Sequence, residues 1–443
     1  MHLNKNTVRE WATYYGGTGS SFYRSADYGT GIDFDTLENV FVGGYTYSDS
    51  IPTLSSSNPS AYFQSKMKYP TTGSTNQADA FLLKLDSTGN KLTGHATWCT
   101  MLGGERGEGI NDVRYLNGYI YAVGDGGKIN FTTPAYSTPY QFKSGAFNQD
   151  TASGAHGSIY KFSDQCIYDW GTPFKQEGTH SGSVYILINA CDVYDLGGVG
   201  KSSSLPSNSG LVITGYAANS PDFPKTTAGA NLPSGGYGSG DEAYLTIFNS
   251  NDNIQYSTFI GGSDQDRGYD VFCHGAKAYV VGHGGSFLSN PTVKFPFKYA
   301  PGEYIDTTGS HSFISEFNVT DGLLKWSTLY DGDMFNSVCT DINGMVYLHG
   351  TFTNGNGSLT VPTFPSTLYS QSFTGTQQET FVTSFSNRVL KWSTFFGGSG
   401  QDQAQAISAY RDKDIYVVGK GSYASNTFPT FPGTTGGYFS TTG

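Results

Sequence analysis

Acidic residues recur at a fixed place in this chain, shortly after pairs of glycines. Counting four positions beyond the second glycine leads from Gly103-Gly104 to Glu108, from Gly261-Gly262 to Asp266 and from Gly397-Gly398 to Asp402. After Asp331-Gly332 the corresponding position holds Asn336, and Asp264, Asp331 and Asp333 lie close by. Gathered at one place, such side chains could form a collar for a cation or a sugar, since calcium takes several oxygen ligands. Two carboxyls at the right separation are also what glycoside hydrolysis requires. A carboxylate at a fixed distance from a tight turn has a plainer use, accepting backbone N–H bonds from its own loop.

Other chemistry is sparsely represented. The eight histidines form no H-x-x-x-H or H-E-x-x-H pattern, although His274, His283 and His349 fall near strand-like runs. There is no G-x-S-x-G elbow and no phosphate-cradling loop with lysine. Cys99, Cys166, Cys191, Cys273 and Cys339 are far apart and odd in number, with no C-x-x-C pair, and read as buried thiols. No metal or cofactor is called for; Ca2+ is the one ion the acidic collar would suit.

The formal charge of −11 and the lack of any basic run argue against nucleic-acid binding. No stretch of 18 apolar residues suggests membrane insertion. Aromatic residues make up 15% of the chain and charged residues 14%, with 59 glycines, a composition suited to short strands and many turns.

The elements that must position the acids repeat. All five tryptophans, Trp11, Trp98, Trp170, Trp326 and Trp392, are followed two residues later by threonine, and Tyr256 heads a sixth copy. Repeats therefore begin near 11, 98, 170, 256, 326 and 392. Each continues with a short apolar run such as Gly109-Ile110-Asn111-Asp112-Val113. A run ending in glycine follows, as in Tyr279-Val280-Val281-Gly282. After a long variable stretch comes a run such as Ala80-Phe81-Leu82-Leu83 or Thr380-Phe381-Val382, and a turn then leads to the next tryptophan.

Every segment is short, rich in β-branched and aromatic residues and bounded by turn residues, so each reads as a strand. Four-stranded antiparallel meanders, apolar on both faces and repeated six times, predict an all-β fold, a six-bladed β-propeller occupying residues 1–443 as a single domain. In chain order within a blade the strands are A, nearest the axis, then B, C and D, with the tryptophan strand D at the rim. The indoles at D fill the widening gap between blades. Because the chain opens on a D strand, that strand is expected to complete the last blade and close the ring. The long B-to-C insertions are expected to crown the same mouth as the D-to-A loops, their Phe-Pro pairs, such as Phe223-Pro224 and Phe295-Pro296, plugging each insertion to the rim.

Trp392-Ser393-Thr394-Phe395-Phe396-Gly397-Gly398-Ser399-Gly400-Gln401-Asp402, followed by Asp414-Ile415-Tyr416-Val417-Val418-Gly419 and Phe428-Pro429-Thr430, resembles the bacterial SBBP beta-propeller repeat, as does Tyr256-Ser257-Thr258-Phe259-Ile260-Gly261-Gly262-Ser263. The resemblance implies a secreted or surface-displayed bacterial protein, often one module of a larger adhesin or a secreted cargo, and no particular reaction. It also sets an alternative of seven blades, with part of the chain missing, beside the six counted here.

The reading that follows is a non-catalytic extracellular or cell-surface module for binding, adhesion or display. Its contacts come from loops at one mouth, with Glu108, Asp264, Asp266, Asp331, Asp333 and Asp402 as ligand-binding candidates. The partner would be a protein or a glycan, and the chain can be part of a longer polypeptide or larger assembly. Two alternatives remain: a polysaccharide-active enzyme using the mouth carboxylates, and a structural subunit of an extracellular fibre.

Overall fold

The computed structural model describes residues 2–3, 9–11, 13–17, 26–48, 50–65, 78–87, 96–103, 107–126, 140–149, 156–175, 185–197, 208–218, 223–226, 240–262, 265–284, 295–307, 311–353, 378–398, 400–410 and 414–421. Every regular element among them is a β-strand. Five sheets have four strands each, in chain order and antiparallel throughout.

The first sheet is β3 (Asp27–Phe34), β4 (Val40–Thr46), β5 (Asp79–Leu85) and β6 (Ala96–Leu102). The second is β7 (Gly109–Leu116), β8 (Tyr119–Gly126), β9 (His156–Ser163) and β10 (Tyr168–Phe174). The third comprises β11 (Tyr185–Asp195), β12 (Ser209–Ala218), β13 (Asp241–Phe248) and β14 (Ile254–Ile260). The fourth comprises β15 (Arg267–His274), β16 (Lys277–His283), β17 (His311–Asn318) and β18 (Leu324–Asp331). The fifth is β19 (Met334–Thr340), β20 (Val346–Thr353), β21 (Gln378–Ser386) and β22 (Val389–Phe396), and a sixth sheet has β23 (Asp402–Tyr410) and β24 (Asp414–Gly421) alone.

The A strands β3, β7, β11, β15, β19 and β23 each lie against the next, which makes the assembly propeller-like. A β-bulge interrupts every A strand at the same place, at Thr30, Asn111, Asn189, Tyr269, Asn336 and Gln405. Opposite each bulge stands the glycine that ends the B run. A Cβ on Gly282 would lie 1.9 Å from the Arg267 carbonyl oxygen, and one on Gly124 would lie 1.9 Å from that of Gly109. The repeated glycine is therefore required by the close backbone approach at the bulge.

Two rows of side chains fasten neighbouring A strands. In the first, a carboxylate on one strand accepts an N–H from the next: Asp33 from Tyr115 (2.7 Å), Asp112 from Cys191 (3.1 Å), Asp192 from Cys273 (2.6 Å) and Asp270 from Val338 (2.9 Å). The Ser337 hydroxyl continues the row by accepting from Ile407 N at 3.2 Å. Arg114 bridges Asp112 and Asp192. In the second row the bulged residue donates onward, Asn111 to the Ile188 carbonyl and Asn189 to that of Gly268, both at 2.7 Å.

Hydrophobic cores lie between successive sheets. Trp98, Trp170 and Trp326 are wholly buried there, their rings 5.8, 6.0 and 5.4 Å from Phe162, Phe248 and Phe385 at the end of the next blade's C strand. Tyr256 and Trp392 are half-buried at the equivalent places. The indole is thus the inter-blade spacer that its repetition suggested. Phe223 and Phe295 are likewise buried, while Phe364 and Phe428 lie outside the described residues. The five cysteines are free thiols, four buried and Cys273 partly so.

Two expectations need correction. The described parts of the B-to-C insertions run along the outer edge of their own D strand instead of crowning the mouth. Leu54 pairs with Cys99 and Lys298 with Ser327, so the insertion protects an edge that would otherwise be bare. The tryptophan–threonine pair grips the insertion through both of its polar groups. Trp98 Nε1 donates to the Tyr62 carbonyl while Gln64 N donates to Thr100 Oγ1; Trp170 and Thr172 hold Phe147 and Gln149 in the same way, and Trp326 and Thr328 hold Tyr304 and Asp306.

The second concerns the opening of the chain, which is not a D strand: β2 (Arg9–Trp11) is preceded by β1 (His2–Leu3), with which it pairs among the described residues. Its register is informative. His2 faces Trp11, Leu3 faces Arg9 and a bulge separates them. Lys84 and Leu85 face Trp98 and Ala96 with the same bulge. The pair β1–β2 therefore has the register of a C–D hairpin.

Candidate functional site

The D-to-A loops are built around the recurring acids. Asp266 Oδ2 accepts from Gly262 N, and Asp402 Oδ2 from Gly398 N, each at 2.7 Å. The preceding glycine makes room for the carboxylate, since a Cβ on Gly261 would lie 2.3 Å from Asp266 Oδ2. Asp27 plays the same part for Gly17, a residue the fixed count misses because more residues intervene. Asp266, Asp402 and Glu108 are all buried. The structure distributes them over separate blades, and Asp264 lies outside the described residues.

Asp331 and Asp333 are different. Both are partly exposed and sit beside residues from the neighbouring blade ends. His311 is paired with Asp331 across β17 and β18, and His283 Nδ1 lies 2.7 Å from the Asp333 carbonyl oxygen. The rings of His283 and His311 stack with centroids 5.6 Å apart. Next to them Arg267, paired with His283 in the β15–β16 ladder, bonds Asp241 through Nε (2.7 Å) and Nη2 (2.5 Å), and its guanidinium lies 4.7 Å from the Tyr216 ring. Tyr185 donates to the other Asp241 oxygen at 2.5 Å.

Burial governs the protonation of this cluster. It pushes the Asp331 carboxyl up to about 6, with the nearby charge of Asp306 adding to the effect. It also raises Asp333 and lowers His283, which is therefore neutral at pH 7. Glu242, beside Asp266 and Asp241, is pushed up to about 9 by burial first and those two charges second, and is protonated at neutral pH. His311 has φ of 91°, a left-handed conformation that a residue with a Cβ adopts at a cost.

Strand ends of three consecutive blades thus bring a histidine pair, two carboxyls of raised pKa and an Arg–Asp–Tyr cluster to one mouth. The arrangement can accept and donate hydrogen bonds to a polar ligand and can exchange protons near neutral pH. Sequence reasoning missed Asp241, Arg267 and His311. Arg267 directly follows Asp266, and Asp241 and His311 open C strands, so their strand-end positions were the available signal. Among the described residues no group of three or more His, Cys, Asp or Glu has the geometry to hold a metal ion. Of the insertion aromatics, Tyr62, Tyr140 and Tyr304 are packed inside, Tyr299 is exposed, and Tyr69 and Tyr136 lie outside the described residues.

Residues 10–52 match the SBBP family model, described as a Beta-propeller repeat. The matched stretch runs from the first D strand to the insertion that follows the first B strand. No curated protein matches the chain. Among solved structures, the WD40 beta propeller domain of Doa1 is similar at 10% identity with a TM-score of 0.35, over 88% of this chain and 74% of that one.

Proposed function

We propose that the chain is a non-catalytic binding or adhesion module, secreted or displayed at a cell surface, that takes a protein or glycan at the mouth formed by its third, fourth and fifth blades. The observation that carries this reading is the cluster of His283, His311, Asp331, Asp333 and Arg267 at partly exposed strand ends, whereas Asp266 and Asp402 are consumed within their own loops. Rigid strands position these groups, and the His311 backbone is held in a conformation that needs support from its surroundings. Ca2+ enters the proposal only through Asp331 and Asp333.

A glycan array probed with the chain, with and without calcium, tests the reading. Binding that disappears in the R267A and H283A variants supports it, and binding indifferent to both removes the mouth as the site. A second reading, a polysaccharide-active enzyme, draws on Asp331, whose raised pKa suits a general acid. Sugar release that is abolished by D331N would favour that reading over the first.

The ring is proposed to have six blades and to close in the last one, with β1–β2 serving as the C–D hairpin of the sheet whose A and B strands are β23 and β24. The shared register of β1–β2 with the other C–D hairpins supports this.

A further inference from the structure

Across the ladder from Trp98, Trp170 and Trp326 stand residues of strand C that reach the C-to-D turn of a neighbouring blade. Lys84, paired with Trp98, donates from Nζ to the Asp164 carbonyl at 2.9 Å. Glu316, paired with Trp326, accepts from Arg388 Nε (3.2 Å) and Nη2 (2.8 Å). Lys161, paired with Trp170, meets a carboxyl group instead: its Nζ lies 2.7 Å from Asp252 Oδ1 and 3.0 Å from Oδ2. The two side chains are only 1% and 2% exposed. Asp252 belongs to the turn between β13 and β14, so this contact joins the second blade to the third.

Two further charged groups complete the surroundings. Lys143 Nζ, from the insertion of the second blade, lies 3.2 Å from Asp252 Oδ2 and 2.9 Å from Asp169 Oδ2. That Asp169 oxygen is 3.7 Å from Lys161 Nζ. The rings of Tyr119 and Tyr121 lie over the same nitrogen, their centroids 4.6 and 5.2 Å away. The Asp252 backbone is fixed on both sides, its N–H donating to the Asn249 carbonyl and its own carbonyl accepting from Phe147 N, each at 2.9 Å. Burial pushes the Lys161 amine below the usual lysine range, against the pull of Asp252. An amine that releases its proton readily and is held against a carboxyl carbon in a dry pocket is a nucleophile already in contact with its electrophile.

We infer that Lys161 and Asp252 condense into an amide, a covalent cross-link between the second and third blades made by the chain's own residues. Asp169 takes one proton from the Lys161 ammonium, and the free amine attacks Asp252 Cγ. Negative charge gathers on Oδ2, where Lys143 stands to stabilise it. The C–Oδ1 bond then breaks. Of the three ammonium protons, two leave with Oδ1 as water, one of them by way of Asp169, and the third stays on the amide nitrogen. The charges of Lys161 and Asp252 cancel, so the step consumes no oxidant, reductant or co-reactant. Asp169 is partly exposed and gives the water a way out, while burial of the new bond keeps solvent from reversing it. The two equivalent contacts cannot follow this course, because Lys84 faces a peptide carbonyl and the Arg388 guanidinium keeps its proton.

The test is the intact mass of the full 443-residue chain, followed by a tryptic digest. A mass lower than that of the sequence by one water is expected, with no cleavage after Lys161 and a branched peptide that joins Lys161 to Asp252. K161R keeps the positive charge beside Asp252 but cannot condense, and it should have the full mass of its sequence. D169N should slow the reaction by at least about a hundredfold, read as unlinked chain in freshly purified protein. Full mass and free cleavage after Lys161 in the wild type overturn the inference, and need no variant to do so. A loss of water that persists in K161R, or that maps to other residues, overturns it as well. Linkage as fast in D169N as in the wild type overturns the part assigned to Asp169.

Discussion

The axis and the rim of this molecule solve the same problem with different forces. At the axis, neighbouring A strands are tied by carboxylates and amides that reach across to the next backbone. At the rim, indole rings fill the space between sheets and their N–H groups hold the insertions. Where blades converge there is no room for bulk, so short polar side chains do the joining. Where blades splay, a large apolar ring is the economical filler, and the fastening N–H comes with it. Removing a group at either end should therefore fail in a different way.

The largest effect is expected at the rim. W170A removes a wholly buried indole and should lower stability by ~4 kcal/mol, read as a fall in the urea midpoint. The axial counterpart, D270A, strips acceptors from Val271 N, Val338 N and Ser337 Oγ and should cost ~3 kcal/mol in the same titration. D270N keeps the shape and part of the acceptor capacity and should cost ~1 kcal/mol. W392A, at a half-buried rim position, should cost about half as much as W170A. If the two tryptophans prove equal, filling space is not what the rim residue does. T172V leaves the indole but removes the acceptor for Gln149 N, and a loss of ~1 kcal/mol would separate clamping from filling.

The smallest effect is one of pH, and its sign distinguishes the polar axis from the apolar rim. Asp112 is pushed up to about 7 by burial, against the opposing pull of Arg114, and Asp192 up to about 6 by burial, again opposed by Arg114. Both values lie above those of an unfolded aspartate. Such groups contribute stability that is fully present below about pH 4 and is lost as pH rises through 6 to 7. Glu242 extends the loss to about pH 9. The Tm should therefore be lower at pH 9 than at pH 5, and E242Q should flatten the part between pH 7 and pH 9. A Tm that rises over this interval would show that the buried acids are not held against their charge.

Much of this was legible beforehand. Trp-x-Thr and the glycine that ends strand B each have one local physical cause, so their recurrence marked the strands and their order. The carboxylate four residues past a glycine pair was legible as a loop feature for the same reason. The mouth cluster was not, because Arg267, His283, His311 and Asp331 lie on four different strands and meet only once the strands of the fourth sheet are paired in register. The path of the insertions was hidden too. Nothing in Tyr62-Phe63-Gln64 alone says that it will be gripped by a tryptophan and a threonine 36 residues further on. The strand ahead of the first tryptophan strand was missed because two residues, His2 and Leu3, are too short a run to register as a strand by pattern.

The row of acceptors along the A strands has an orientation: each carboxylate reaches only forward, to the sheet that follows it in the chain. A fastener that recurs from one junction to the next and is blind to everything beyond its neighbour carries no count. Whole units can be gained or shed by duplication or deletion without redesigning the joints between those that stay.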